Sequence, residues 1–501
     1  MQENRRSFLK KAGIGAAMLT AAPGMLKSSV FAMNASKAEA ISDVSFVGSS
    51  ASGTRKKMIT DVLEPWRTKV AEGIKNKTVL IKPNMVYWST GSTDPSLALT
   101  HVDAIRGLLD FLRSINSTIP IIIGECSPDP TISSMWSKAG YSALTSEYTG
   151  VTLMDLNKTD VIKSVDRLIW TTDFSTTTSI PISSAFVDPK YYVISICRPK
   201  SHNCMIMTGV NKNILMAAPL NTATIGGASV SPKQIMHGKN GWYTGKQPNE
   251  NKCLSYNLFQ LAHAIYPNGA PALSVLDAWE GMEGEGPISG TSIMQYCALA
   301  GTDPLAVDRL MAKLMGFSDT ATNPINKTAP SYTDMRPLVW ISNAGFGNYD
   351  LNKINFIKGS LNDLQNFVKK YTLSINYTGD PSYETDWVGG PPSVISDPSA
   401  VKDSRYLDPI PLLMPQMHKI IRTDEIAINF SLPVSYGITL SIHNLQGREV
   451  RKFGSENLLS GRYTVMWNRR DNNGNRVPAG RYIIKLAFGS RSMCDQISLV
   501  N

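Results

Sequence analysis

Reactive side chains are concentrated in residues 198–213, RPKSHNCMIMTGVNKN. The run before them, YYVISIC, is apolar and predicts a buried strand. Ligand sites of α/β proteins lie where strands end, and lysine, arginine and asparagine donors together suit a phosphate or carboxylate. The alternative is a solvated loop with ordinary ion pairs. The candidate ligand-binding residues of this stretch are Arg198, Asn211, Lys212 and Asn213.

His202 is the candidate acid–base residue of the stretch, and Lys200 is the catalytic cation beside it. Neighbouring cations disfavour the imidazolium, so we expect a lowered pKa for His202 and a neutral ring that could act as a general base or a metal ligand. The alternative is a hydrogen-bonded structural histidine. Cys197 and Cys204 flank His202, but their spacing matches no strong metal template. Burial or a disulfide is the simpler interpretation of these two cysteines.

Three further predicted strands end in polar residues. The runs TVLIK, PIIIG and PALSVLD lead respectively to Lys82 and Asn84, to Glu125, and to Asp277. The carboxyl ends of parallel strands share one edge of a sheet, where ligands bind. We therefore expect these side chains to converge on residues 198–213, with Lys82 and Asn84 among the ligand-binding residues.

The segment 277–290, DAWEGMEGEGPISG, is rich in glycine, so its backbone could bend close to a ligand. Glu283 within it, or Asp277 at its start, could be the catalytic carboxylate beside His202 or could hold a divalent ion. A solvated turn is the alternative. The GxxGxG spacing of its glycines does not match a dinucleotide-binding fingerprint.

Helical patterns alternate with the predicted strands. Thr100 is a suitable cap for a helix with apolar residues at helical spacing, and further helices are predicted at 253–265 and 303–317, the last capped by Asp303. A last strand is predicted at 338–342. This alternation predicts an α/β domain over residues 41–360, with a mainly parallel sheet and helices on both faces.

The net charge of +10 is unevenly distributed. Residues 1–40 carry six basic and two acidic residues, and residues 416–501 carry twelve and six. The middle of the chain therefore has 32 of each and is neutral. Nucleic-acid binding by the main domain is thus not expected, because it requires a broadly basic face.

The first 40 residues resemble a twin-arginine (Tat) signal peptide. Arg5 and Arg6 precede the sequence SFLK, and a modestly apolar segment, 12–26, is followed by small residues suited to cleavage after Ala32 or Ala40. The resemblance implies export by the Tat translocase to the periplasm or cell surface. The alternative is a short amphipathic or anchoring helix. Because Tat carries folded cargo, a metal or redox cofactor loaded before export is compatible with this signal.

The composition and the hydrophobic pattern of the chain change after residue 360. Residues 361–415 are interpreted as a linker or wrapping segment, being rich in Pro, Gly, Ser and Asp, and residues 416–501 alternate in the manner of an antiparallel β-sandwich. The run from LQGREV to GRYIIKLAFG resembles the FlgD-type Ig-like domain and the sorting domains of type IX secretion substrates. This resemblance implies a sorting or attachment module that contacts the cell surface or secretion machinery. Trp467 and Tyr482 are then expected in its core.

Five motifs of the main domain resemble, in order, the domain-of-unknown-function family 362 (DUF362). They are KPN at 82–84, RPKSH at 198–202, TGVNKN at 208–213, GMEGEGP at 281–287 and GTDPLAVD at 301–308. The resemblance covers about residues 45–358. Some members carry ferredoxin-type cysteine repeats, but the six cysteines of this chain include no CxxC, so an iron–sulfur cluster is not implied.

Together these patterns predict an exported enzyme acting on an anionic small molecule, with His202 as base or metal ligand. A non-catalytic periplasmic or surface protein that binds an anion or metal is the alternative. The reaction, the substrate and the identity of any metal or cofactor stay open, and no transmembrane segment is expected in the mature chain.

Overall fold

The computed structural model describes residues 32–33, 41–88, 94–129, 131–171, 176–238, 250–321, 329–374, 416–421, 425–432, 436–458, 461–488 and 491–499. The twin-arginine motif and most of the predicted linker lie outside these residues. Strands β1 to β15 are, in chain order, Ala32–Met33, Ser42–Gly48, Thr78–Pro83, Ile121–Glu125, Val151–Asp155, Ser164–Trp170, Thr177–Ser183, Tyr191–Cys197, Lys200–His202, Ile206–Thr208, Ala223–Ile225, Ala228–Val230, Leu273–Glu283, Thr291–Gly301 and Ile354–Lys358. Helices α1 to α11 are Arg55–Leu63, Arg67–Gly73, Val102–Ile115, Ile132–Lys138, Leu144–Glu147, Val210–Leu215, Pro232–Ile235, Glu250–Ile265, Pro304–Leu314, Arg336–Asn343 and Leu361–Gln365.

The central sheet of the first domain has the strand order β15-β2-β14-β13-β8-β3-β4-β5. Strand β14 runs antiparallel to both of its neighbours, and the other pairs along this path are parallel. The short strand β9 continues the chain after β8 and pairs with β10 and β13. The predicted α/β class with a mainly parallel sheet is therefore confirmed.

Both faces of this sheet are covered by helices. Along β3, Leu80 contributes to one buried core together with α6, α8, α9 and α10, whereas Val79 and Ile81 contribute to a second core with α1, α3 and α4. Successive residues of a strand point to opposite faces, so a strand buried on both faces must be apolar throughout. That is why TVLIK and YYVISIC show no polar alternation.

Three local predictions need correction. The N-cap of α3 is His101, whose side chain accepts from the Asp103 N–H, because the Thr100 hydroxyl is occupied by the Asn84 N–H and the Ile196 carbonyl. The strand predicted at 338–342 is part of helix α10, which has a proline in its first turn. Strand β13 continues to Glu283, six residues beyond its predicted end at Asp277.

The described part of the predicted linker, residues 361–374, wraps against the α/β domain. Leu364 and Tyr371 are buried in its core, and the Tyr371 hydroxyl donates to Gln295 Oε1 at 2.7 Å. The packed domain thus extends beyond residue 360. No helix among the described residues is long and apolar enough to cross a membrane.

The C-terminal part consists of strands β16 to β22, at Gln416–Ile421, Ile426–Leu432, Tyr436–Asn444, Glu449–Leu458, Gly461–Trp467, Gly480–Phe488 and Arg491–Leu499. They form two antiparallel sheets, ordered β1-β20-β17-β16 and β19-β18-β21-β22. Apolar residues of both sheets meet in one core. Trp467 and Tyr482 are both buried there, with ring centroids 5.8 Å apart, so their predicted place in the core is confirmed.

Candidate functional site

A cavity of about 420 Å³ opens where β3 and β4 end, beside the turn between β9 and β10. Its polar lining comes from lysines, histidines, asparagines and one carboxylate, and its apolar lining includes methionine, valine, proline and isoleucine side chains. The polar lining includes Lys82, Asn84, Glu125, His202, Asn203, Thr208, Lys212, Asn213, Lys233 and His237. The cavity therefore combines a surplus of basic side chains with apolar walls.

Lys82 and Glu125 form a buried ion pair beside the cavity. Lys82 Nζ lies 2.7 Å from Glu125 Oε2 and 3.1 Å from Asn213 Oδ1, and it also donates to the Pro83 carbonyl. Both Glu125 oxygens accept backbone N–H groups as well, from Met85 and Cys126, each at 2.8 Å. The three donors of Lys82 are thus all used. This lysine holds the strand ends together rather than offering a free charge to a ligand.

Two asparagines extend this network. Asn84 Nδ2 donates to Asn213 Oδ1 at 3.2 Å, and Asn84 Oδ1 accepts from Lys200 Nζ. Lys200 also donates to the Ala98 carbonyl at 2.9 Å, and it does not line the cavity. Burial, reinforced by the charge of Arg198, lowers the pKa of Lys200 to about 7. Lys200 therefore supports Asn84 from behind, so the structure places it outside contact with a ligand in this cavity.

Helix α6 carries Lys212 to the cavity and is fixed by Asp308 of α9. The Asp308 carboxylate accepts from the Val210 N–H at 2.8 Å, the Asn211 N–H at 3.1 Å and Asn211 Nδ2 at 2.8 Å. A Cβ at Gly209 would lie only 2.1 Å from Asp308 Oδ1, so glycine is required for this approach. Asn211 is consequently turned towards α9, away from the cavity that was predicted to be its ligand site.

Lys212 and His202 are in direct contact in the cavity wall. Lys212 Nζ lies 2.9 Å from His202 Nε2, and His202 Nδ1 accepts from the Cys204 N–H at 3.1 Å. Burial, followed by the charge of Lys212, holds the pKa of His202 well below its usual range, as the sequence predicted from its cationic neighbours. The neutral imidazole is therefore the form in this structure.

Lys233 is a cavity residue that the sequence reasoning missed. It lies on the short helix α7, is only 3% exposed, and donates to the carbonyls of Met216 and Ala217 at 2.6 and 3.2 Å. Those carbonyls follow α6, so the cation satisfies the end of the helix that carries Lys212. Two of its three donors are used there. Nothing in the local sequence SPKQIMHG distinguishes this lysine from an exposed one, because its burial depends on tertiary contacts.

The structure places Arg198 and Asp277 in a second cluster outside the cavity. Arg55 Nε lies 3.3 Å from Asp277 Oδ2, and both Arg55 and Arg198 contact Glu280 Oε2, at 3.3 and 3.2 Å. Arg198 and Asp277 are fully buried. Asp277 is therefore not beside His202, and this cluster is explained as a buried ion-pair network.

Glu283 also lies apart from the cavity. Its Oε2 accepts from the Thr372 N–H at 2.7 Å, and Glu285 Oε2 accepts from the Ser374 hydroxyl at 2.8 Å. The glycines of this segment make room for protein atoms: a Cβ at Gly286 would lie 2.0 Å from the Ser201 carbonyl oxygen. Glu283 and Glu285 thus anchor residues 361–374, whereas Pro287 and Ile288 of the same glycine-rich segment line the cavity.

All six cysteines are free, and Cys494 alone among them is exposed. Cys197 and Cys204 are buried, in agreement with the interpretation as packing residues rather than as a disulfide. Within the described ranges, no group of three or more His, Cys, Asp or Glu side chains is arranged to hold a metal ion.

Two family models match this chain. Residues 79–313 match DUF362, a domain of unknown function, and residues 419–491 match the FlgD Ig-like domain. The two domain resemblances suggested by the sequence motifs are thereby confirmed. No protein with a curated description matches the chain.

Two solved structures have short regions of similarity. FlgD from P. aeruginosa has 19% identity and a TM-score of 0.14, over 16% of this chain and 63% of that chain. PorZ, described as an essential bacterial surface component of the type-IX secretion system of Porphyromonas gingivalis, has 21% identity and a TM-score of 0.12, over 15% of this chain and 9% of that chain. The chain therefore spans less than two thirds of either solved chain.

Proposed function

We propose that the α/β domain is the catalytic domain of an enzyme that binds an anionic organic molecule in the cavity at the ends of β3 and β4. The observation that carries this proposal is the charge balance of the cavity lining. Glu125 is the one carboxylate among the lining residues and is already bonded to Lys82, so Lys233 gives the lining a net positive charge. An anion placed there would be attracted by this cation in a site of low dielectric constant, where such attraction is strong.

Lys233 is the expected contact for the negative group. Its ammonium has three donors, of which two bond backbone carbonyls, so one is left to meet a carboxylate or phosphate oxygen. The apolar side chains of Met85, Met216 and Ile288 would pack against the carbon skeleton of the same molecule. A ligand with one anionic end and an apolar body best matches a cavity that has a cation on one side and apolar side chains on the other.

An enzyme is favoured over a passive binding protein by the contact between Lys212 and His202. An anion carrier needs only fixed donors and charges, whereas a half-buried lysine held against a neutral histidine is an arrangement suited to moving protons or forming bonds. Proton transfer within this pair would support catalysis, whereas the anion site alone fits an enzyme and a binding protein equally well.

Replacing Lys233 with methionine tests the anion site. Hydrocinnamate, which has a carboxylate and an apolar ring, is the probe, and isothermal titration of the full chain is the measurement. We expect the dissociation constant to rise about 10- to 100-fold, because one charge-assisted hydrogen bond contributes about 1.5–3 kcal/mol. The matched control is Lys75→Met, at an exposed lysine beyond α2. Equal affinities for wild type and Lys233→Met would contradict the site.

We further propose that the protein is exported by the Tat pathway and that residues 416–499 act as a sorting or attachment module. The support is the Arg5–Arg6 motif and the match of residues 419–491 to the FlgD Ig-like model. Replacing both arginines with lysine should leave the protein in the cytoplasm in a cell-fractionation experiment. Deleting residues 416–501 should leave export intact but release the protein from the cell surface. Normal surface location of both variants would overturn this assignment.

A further inference from the structure

The hydrogen bond between Lys212 and His202 reveals the protonation state of the lysine. His202 has two ring nitrogens with different partners: Nδ1 is 3.1 Å from the Cys204 backbone nitrogen and 3.4 Å from Cys204 Sγ, and Nε2 is 2.9 Å from Lys212 Nζ. A backbone N–H can only donate. Nδ1 must therefore accept, and the ring proton of the neutral imidazole must be on Nε2.

This tautomer requires Lys212 to accept a hydrogen bond. The Nε2–H group points at Lys212 Nζ, and a nitrogen can accept only through a lone pair, which an ammonium does not have. A charged Lys212 would instead place two donors against each other. The contact is therefore satisfied when Lys212 is a neutral amine. Burial, assisted by the charge of Lys233, lowers the pKa of Lys212 to about 8, so a larger fraction of this lysine is neutral near pH 7 than of an ordinary lysine.

Lys212 also has access to the space where a ligand would lie. It is only half-buried and it lines the cavity, unlike Lys200, which is fully buried behind Asn84. Its one hydrogen-bond partner among the described residues is His202. A neutral primary amine facing a cavity that holds an anion site is the arrangement of a nucleophile.

We infer that Lys212 forms an imine with the carbonyl carbon of an anionic oxo compound, an oxo acid or a phosphorylated aldehyde or ketone, whose negative group is held by Lys233. This inference rests on the proposed function, because it uses the same cavity and the same anion contact. It adds the class of substrate and a covalent step.

The step balances without an additional reactant. The lone pair of Lys212 Nζ attacks the carbonyl carbon, and one amine proton moves to the carbonyl oxygen to give a carbinolamine. The second amine proton leaves with that hydroxyl as water, and the C=N bond of the imine forms. During attack the hydrogen bond from His202 Nε2–H is broken, and it can re-form on the imine nitrogen, which again offers one lone pair. The His202 Nε2–H group can therefore donate a hydrogen bond to the amine and to the imine nitrogen of Lys212, and it disfavours the ammonium form.

Reductive trapping tests the inference on the full-length protein. Phenylpyruvate, which combines a carboxylate, a ketone and an apolar ring, is incubated with the protein and cyanoborohydride at neutral pH, and the modified lysines are located by peptide mass spectrometry. Lys212 should be alkylated on the order of 100-fold faster than Lys75, because a lysine with a pKa of about 8 has a far larger neutral fraction than an ordinary one. Alkylation of Lys212 no faster than Lys75 would overturn the inference.

Two variants separate imine formation from binding. Lys212→Arg keeps a basic side chain but cannot form an imine, so it should lose the adduct at this position while circular dichroism shows an intact fold. Lys233→Met should slow trapping of phenylpyruvate at least 10-fold more than it slows trapping of benzylacetone, the matched neutral ketone. Equal slowing of both ketones would contradict the role of Lys233 in holding the anion.

Failure of the inference can be told apart from failure of the proposed function. If phenylpyruvate and hydrocinnamate bind in a manner that depends on Lys233, but no reduced adduct forms at Lys212, the anion site stands and the covalent step is wrong. If neither anion binds wild type more tightly than benzylacetone, the anion site itself is wrong. An adduct at Lys212 together with binding that depends on Lys233 supports both.

Discussion

Replacement of Glu125 with alanine is expected to lower the free energy of unfolding of the α/β domain by about 3–5 kcal/mol, the usual cost of removing one partner from a buried ion pair. Glu125 is 3% exposed and accepts from Lys82 Nζ, from the Met85 N–H and from the Cys126 N–H. The variant leaves all three donors without this acceptor, one of them a buried cation. Lys82 would then be paired only with neutral oxygens.

Urea unfolding followed by far-ultraviolet circular dichroism measures this effect, since the described helices all belong to the α/β domain. Glu147→Ala is the matched control. Like Glu125, Glu147 is paired with a basic side chain: it accepts two hydrogen bonds from Arg106, each at 2.7 Å. This pair lies on the exposed surface, where ion pairs contribute about 0–1 kcal/mol. Similar small losses in both variants would show that the Lys82–Glu125 pair does not hold the strand ends together.

Replacement of Asp308 with alanine should both destabilise the domain and weaken anion binding. Three donors of Val210 and Asn211 lose their acceptor, so we expect a loss of about 2–4 kcal/mol, from roughly 1 kcal/mol for each neutral hydrogen bond and more for a charged acceptor. Helix α6 would lose its anchor to α9. Because α6 carries Lys212 and Asn213 and its end binds Lys233, affinity for hydrocinnamate should fall at least 10-fold although Asp308 lies outside the cavity lining.

The control for this variant is Asp61→Ala, which removes a helical carboxylate paired with exposed Lys57 at 2.7 Å. Both variants should be compared at pH 8. Burial raises the pKa of Asp308 to about 6, so the native state binds more protons than the unfolded chain between about pH 4 and 6. The contribution of this group to stability therefore falls as the pH rises through that window and is constant above it. Unchanged hydrocinnamate affinity in Asp308→Ala would mean that α6 is held by other contacts.

The fold could be predicted from the sequence because its signals are local. The runs TVLIK and YYVISIC are apolar without alternation, as a strand covered on both faces must be, and turn residues separate them from amphipathic helices. Two predictions, the end of a strand at Asp277 and a strand at 338–342, were wrong for physical reasons. Strand β13 continues past Asp277 because its extension pairs with β14 and Gly281 leaves room for Tyr371. A proline in the first turn starts a helix at Arg336.

The site was only partly predictable. Lys82, Glu125 and His202 could be placed near one another, because each lies at or near the end of a strand, and Lys212 follows His202 closely in sequence. The side to which the Arg198 side chain points could not be inferred, since its pairing with Glu280 depends on the neighbouring strand β13. The place of Lys233 in the cavity wall could not be predicted from its neighbours in sequence, because only the folded chain brings it against the carbonyls after α6.

The central claim is that an anionic organic molecule occupies the cavity with its negative group at Lys233, and a crystal structure of the full chain soaked in hydrocinnamate tests it most directly. The predicted result is density in the cavity with a carboxylate oxygen within hydrogen-bond distance of Lys233 Nζ and the ring against Met85, Met216 or Ile288. An empty cavity at a concentration that saturates binding in solution, or density beside Arg198 instead, would contradict the account.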